Sequence, residues 1–462
     1  MSQASERSSY PWTRVLPGMD VAEVLRRVDI GRRVAEEEKD QLAAYFVETD
    51  QWRRIYSGDV DIVYGAKGAG KSAIYSILLD RQNDLFDRGI LIQSAENPQG
   101  TPAFTNLVAD PPTGEEEFVG LWKLYVLSLV ANVIDQYGVS NDSSEALLEV
   151  LGEAGLLPKR RTLASLVTAA LAYVRRMLNP ESIEGGLKFD PVTGNPTGVT
   201  AKITLREPTE GERDRGSISL DEALSLAERA MSQERYSLWI LFDRLDVAFN
   251  RSPDLEANAL RALFQVYVDF LAFPALQPKV FLRSDIWTAI TEGGFREASH
   301  ITRAVTIDWD GKSLLNLVVR RMLQNPELLS EYKVSPEGVL ASSSEQEAFF
   351  YKIFPAQVDS GPNKPTTFNW MLGRTRDGSG KTAPRELIHL LSTSRDGQVR
   401  QIELGQRTPE GGRLFTRAGN QGGASGGFES EAEPDAVCRV PGPQAHNRGA
   451  CGRQDRSLAG DS

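Results

Sequence analysis

Cysteine is nearly missing from this chain: 462 residues contain two, Cys438 and Cys451, both within the last 25. The body of the protein can therefore hold neither a disulfide nor a thiolate zinc site. Histidine is as scarce, with His300, His389 and His446 so scattered that zinc chemistry through imidazole is not expected. No uncharged apolar run approaches the ~18–20 residues that a membrane span requires. The first ten residues, Met1 to Tyr10, lack the apolar core of a signal peptide. The expected compartment is the cytoplasm, without a membrane partner. Positive charge is in deficit, since 52 Lys and Arg face 63 Asp and Glu for a formal charge of −11. That argues against a broad phosphate-binding surface. Local clusters at Lys159-Arg160-Arg161, Arg175-Arg176 and Arg320-Arg321 leave a nucleic-acid contact open but not favoured, because they lack aromatic interleaving.

Apolar material, by contrast, is ample: 40% of the chain is hydrophobic and 8% aromatic, enough for a large core and two or three domains. Apolar residues at helical spacing between Asp20 and Tyr56 predict two short helices in an N-terminal segment, residues 1–57. Val60 to Tyr64 is a compact apolar run between glycines, the pattern of a buried parallel strand. Ser72 to Leu79 reads as helix and Ile90 to Gln93 as a second strand. Leu238 to Phe242, Val280 to Leu282 and Val305 to Trp309 complete five strands. Glu115 to Tyr137 and Leu163 to Met177 have helical periodicity and mark a helical insert at about 115–180. Leu187/Phe189 and Val199/Ala201/Ile203/Leu205 alternate on either side of a Pro- and Gly-containing turn, so a β-hairpin arm is expected at about 185–206. Helices at Ser313 to Leu323 and Pro384 to Leu391 form a C-terminal region, residues 311–404. Strands alternating with helices imply an α/β fold with a parallel sheet covered by helices, its core spanning residues 58–310.

After Leu404 the character changes. The last 58 residues hold 12 of the 40 glycines and seven charges of each sign, so the body carries the whole −11. Residues 405–462 read as a low-complexity tail, with Gly419 to Ser462 expected to be disordered. A change of reading frame in the gene would produce such a composition, and translating the other two frames tests it.

The chemistry concentrates in one motif. Gly65-Ala66-Lys67-Gly68-Ala69-Gly70-Lys71-Ser72 satisfies G-x-x-x-x-G-K-S/T in full and lies between an expected strand and an expected helix. Small residues let the chain curl around a phosphate with its N–H groups inward. The following helix adds the positive end of its dipole. Lys71 supplies charge to the β- and γ-phosphates, and the Ser72 hydroxyl is a ligand for Mg²⁺. The partner feature is an apolar strand ending in an acid that holds the metal shell, and Leu238 to Phe242 followed by Asp243 supplies it. A Glu directly after that Asp is absent; Arg244 stands there. Asp246 is therefore the first candidate base and Glu96 the second, each with loop capping as the plain alternative. Arg283 follows the next strand, where a polar residue can reach a γ-phosphate, or else pairs with Asp285. Arg320-Arg321 and Arg385 are candidate phosphate sensors, or solvated helix faces.

Ala35-Glu36-Glu37-Glu38 leading to Tyr45-Phe46-Val47-Glu48-Thr49, the Gly65–Ser72 motif, Phe242-Asp243-Arg244-Leu245-Asp246, Phe281 to Asp285 and Ala383 to Leu387 together resemble a group of bacterial P-loop ATPases. They are similar to the KAP and STAND branches of the additional-strand class. The resemblance spans about residues 29 to 400 and implies sheet order 5-1-4-3-2, Mg-ATP as ligand and Arg385 as a second sensor. It also implies a regulatory or defence setting. Three functions follow: an ATP hydrolase that drives conformational work in a complex with a protein partner or further copies of itself; a slow nucleotide switch; and a small-molecule kinase, which the inserts fit poorly.

Overall fold

A computed structural model describes residues 20–31, 38–97, 103–104, 107, 111–112, 114–178, 188–189, 196–197, 203–246, 252–292, 295–378, 380–406 and 408–427. Five parallel strands form the central sheet: β1 (Ile62–Gly65), β2 (Ile90–Ser94), β3 (Ser237–Phe242), β4 (Leu276–Arg283) and β5 (Ala304–Thr306). Their order across the sheet is 5-1-4-3-2. The principal helices are α1 (Val21–Arg27), α2 (Lys39–Tyr45), α3 (Asp50–Tyr56), α4 (Lys71–Asp80), α5 (Glu115–Tyr137), α6 (Leu163–Leu178), α7 (Leu220–Gln233), α8 (Pro253–Phe270), α9 (Ser284–Glu292), α10 (Gly311–Leu323), α11 (Pro384–Glu403) and α12 (Arg417–Gly427).

Apolar burial falls into three clusters. One face of the sheet packs on α5 to α8, with Trp122, Tyr125 and Phe242 at its centre. The other face packs on α2, α3 and α4 through Trp52, Ile74, Tyr75 and Phe281. The third cluster joins α1 to the C-terminal helices: Val24, Leu25, Val28 and Ile30 are buried among Leu314, Val318, Phe350 and Leu391. The α1 part of the N-terminal segment thus belongs physically to the C-terminal helical unit, while α2 and α3 belong to the sheet. Helix α5 is long and apolar enough to cross a membrane, but 83% of its most apolar window is buried inside the protein.

Several sequence expectations shift. Among its described residues the N-terminal segment holds three helices rather than two. β4 begins four residues before the apolar run, because Pro278 and Lys279 interrupt the pattern without interrupting the strand. Pro278 is tolerated there since pairing with β1 starts only at Val280. The hairpin consists of one short antiparallel pair, Lys188–Phe189 with Pro196–Thr197; Ile203–Thr204 pairs instead in parallel with Ile218–Ser219. The turn between them and residues 199–201 lie outside the described residues. The tail is ordered further than its composition suggests. Leu414 and Phe415 are buried, Phe415 stacks on Phe354 at 4.3 Å, and α12 packs along α11. Glycine is a poor helix former, so α12 exists because small residues permit contact: a Cβ on Gly419 would sit 2.3 Å from Gln398 Oε1. Residues 428–462, with both cysteines and His446, lie outside the described residues.

Candidate functional site

Parallel strands place their carboxyl ends on one edge, and there β3 and β4 deliver Asp243 and Arg283, and the loop after β1 delivers Gly68 and Lys71, to one cavity of about 310 Å³. Its floor is the Gly65–Ser72 loop and the start of α4. Gly68 and Gly70 take the left-handed conformation, φ 79° and 100°, which a side chain would disfavour. A Cβ on Gly68 would also stand 2.8 Å from that of Arg385, so the loop's tip and the start of α11 touch. Lys71 folds over the loop: its ammonium donates to the carbonyls of Gly65 (2.8 Å) and Ala66 (3.0 Å). Burial holds the Lys71 pKa below its ordinary value, opposed by Asp243 and Asp246.

Asp243 is buried directly after β3, beside the Ser72 hydroxyl. Burial pushes its pKa up to about 6, against the Arg244 N–H, the Ser72 hydroxyl and the Lys71 charge. A buried carboxyl so reluctant to ionise, next to a hydroxyl, fits a divalent cation, whose charge would offset the desolvation. Among the described residues no group of three His, Cys, Asp or Glu converges to make an all-protein metal cage. Two protein ligands suit Mg²⁺, which keeps water and takes one or two carboxylates beside substrate phosphates.

The candidate bases separate. Leu245 and Asp246 begin a helical turn, which brings Asp246 into the cavity wall beside Asp243. Arg283 grips Asp285 with both arms of its fork (3.1 and 2.6 Å) and lies 3.7 Å from Asp246. Glu96 is buried and accepts from the Asn97 and Ala103 N–H groups at 2.6 Å each, closing a loop; it does not line the cavity. Arg244, at φ 59°, donates to the Asn97 carbonyl at 3.2 Å.

The sensor candidates also part. Arg385 lines the cavity, and its buried Nε has no partner among the described residues. Arg321 lines it too but is committed: it forks onto Glu38 (3.1 and 2.8 Å), donates to the Ile30 carbonyl at 3.1 Å and lies 4.0 Å from the Tyr45 ring centroid. Arg320 turns away to Asn316 at 2.8 Å. Arg161 and Arg175, from the other basic clusters, pair with Asp135 and Glu117. Of the resemblance residues, Ala35 to Glu37 lie outside the described residues.

Sequence reasoning missed three groups. Leu42, Tyr45, Phe46 and Val47 give the cavity a largely apolar stretch of wall. Their helical spacing was legible; their destination was not. Trp309 lies three residues past the end of β5, not within it, and donates its indole N–H to the Ala69 carbonyl at 2.8 Å. Glu256, in the first turn of α8, has a buried oxygen without a partner among the described residues, and burial together with the Asp246 charge pushes its pKa up to about 7. Nothing in its local sequence distinguishes it from a helix-start acid. No known protein family, no curated protein and no solved structure matches the chain.

Proposed function

We propose that the cavity binds Mg-ATP and that the protein hydrolyses its terminal phosphoanhydride, coupling turnover to movement of the C-terminal helical unit. The observation that carries this reading is the convergence of Lys71, Ser72 and Asp243 at the start of α4, beneath a loop whose glycines leave room for a phosphate chain. Arg283 and Arg385 add cationic groups at the same opening, suited to charge that accumulates on a departing phosphoryl group. The apolar wall from Leu42 to Val47 offers a surface for the base. Mg²⁺, held by Ser72 and Asp243, would supply charge neutralisation between the phosphates. Asp246, in the cavity wall, would accept a proton from an attacking water. The resemblance to KAP and STAND ATPases supports a bacterial regulatory or defence complex as the setting, with a protein partner or further copies of the chain.

A second reading, a slow nucleotide switch, draws support from Arg244 standing where hydrolases of this class carry Glu, and from the tie between Asp246 and Arg283. Calorimetric titration with Mg-ATP and steady-state phosphate release decide both. The wild type should bind, and Lys71→Ala should lose binding while its circular dichroism and melting stay as before. Turnover within the ~1–100 s⁻¹ of phosphoryl-transfer enzymes supports the hydrolase, and turnover far below it the switch. Undiminished ATP affinity in Lys71→Ala would overturn the site.

A further inference from the structure

A loop that receives an anion on its N–H groups must turn its carbonyl oxygens away, since each one facing the anion repels it. In the Gly65–Ser72 loop the oxygens of Gly65, Ala66 and Ala69 are engaged. Lys71 covers the carbonyls of Gly65 and Ala66, and the Ala69 N–H also donates to that of Ala66 at 3.1 Å. The Ala69 carbonyl is taken by Trp309, a residue 240 positions away. The indole packs against both the α2–α4 core and the C-terminal helical core, lines the cavity, and lies 3.9 Å from where a Cβ on Gly70 would stand.

Resting on the reading of the cavity as a phosphate site, we infer that Trp309 is a positioning residue: its N–H fixes the Ala69 carbonyl outward and presets the loop's amides for a triphosphate. Core packing alone would explain a large aromatic ring there, and phenylalanine would meet that need. It would not explain a donor aimed at the middle of the loop, because indole N–H only donates and is costly to bury unpaired. The same ring ties the loop to the helical unit that begins with α10, so displacement of that unit pulls on the loop.

The test uses full-length Trp309→Phe, which keeps an aromatic ring and removes the donor. Hydrogen exchange of the Gly68 to Lys71 amides, measured without nucleotide, should accelerate about fivefold, the effect of one net hydrogen bond, while exchange elsewhere and the melting temperature hold. The Mg-ATP dissociation constant should rise by a similar factor, with turnover at saturation little changed. Unchanged loop exchange in Trp309→Phe, or exchange raised equally throughout the molecule, would overturn the positioning role. The two readings fail separately. If wild type binds no nucleotide yet the loop exchange responds, the ATP site falls and the Trp309 clamp stands. If wild type and variant bind ATP alike with unchanged exchange, the clamp falls and the ATP site stands.

Discussion

Asp243 shows what the site costs at the scale of one residue. Its folded pKa, about 6, lies above the ordinary 3.8, so folding favours the protonated form. The associated stability is complete below about pH 4 and is lost as pH rises through 6. Asn has nearly the same shape and cannot ionise. In metal-free buffer Asp243→Asn should therefore gain on the wild type between pH 4 and 7, by roughly 2–3 kcal/mol at pH 8. Urea denaturation of both proteins at pH 5 and pH 8 checks this, and a constant difference between them would remove the buried-carboxylate argument. The same variant should lose Mg²⁺-dependent turnover, a trade of stability for function. The two candidate bases give a contrasting pair. Asp246→Asn should leave ATP bound but unhydrolysed in single-turnover assays, since an amide holds a water without accepting its proton. Glu96→Gln should hydrolyse at near the wild-type rate, because Glu96 caps a loop outside the cavity. The reverse outcome would exchange their roles.

At the scale of elements, the junction of the α1–α2 segment with α10 rests on one buried ion pair. Arg321 and Glu38 are both almost wholly enclosed, and the Tyr45 hydroxyl donates to the same carboxylate. Gly31, at φ 91°, leaves the space: a Cβ there would fall 1.6 Å from Arg321 Nη1 and 2.5 Å from Glu38 Oε1. Gly31→Ala thus combines left-handed strain of ~1–2 kcal/mol with displacement of a buried pair, whose disruption costs ~3–5 kcal/mol. A loss of at least ~3 kcal/mol should appear as a lower urea midpoint with an unchanged slope. A shift below 1 kcal/mol would mean that the junction rearranges freely. Because Tyr45 and Arg321 also line the cavity, ligand affinity should fall with it.

For the whole molecule, the arrangement of the three cores makes a prediction about truncation. Removing residues 1–30 strips Val24, Leu25, Val28 and Ile30 from the C-terminal cluster, each worth ~1.5–3 kcal/mol of burial. It also removes the carbonyl of Ile30 from Arg321 and that of Val28 from Arg395. That sum rivals the ~5–15 kcal/mol stability of a whole domain. The truncated chain should be cut by protease within residues 311–404 under conditions where the full chain resists, while the sheet survives. Equal resistance would show that the C-terminal helices fold without the N-terminal segment.

The sequence alone determined the sheet and the loop. Continuous apolar runs at β1, β2 and β3 admit only strands buried on both faces, and Gly65 to Ser72 can be little else than a tight turn into a helix. Helix α5 was legible to its ends because a capping glycine bounds one side and three acids the other. Local pattern failed where the reason for an element is another element. Buried Asp61 makes room for Lys279 inside β4, and α11 carries α12, whose glycines predict no helix. The division of labour among acids and arginines was likewise invisible. Asp246 and Glu96 look alike in sequence, as do Arg321 and Arg385, until the tertiary structure buries Glu96 against a loop away from the cavity and commits Arg321, though it lines the cavity, to Glu38. Desolvation and pairing depend on neighbours distant in the chain. Only the tertiary structure could therefore decide which charge caps a loop, which locks a junction and which faces the site.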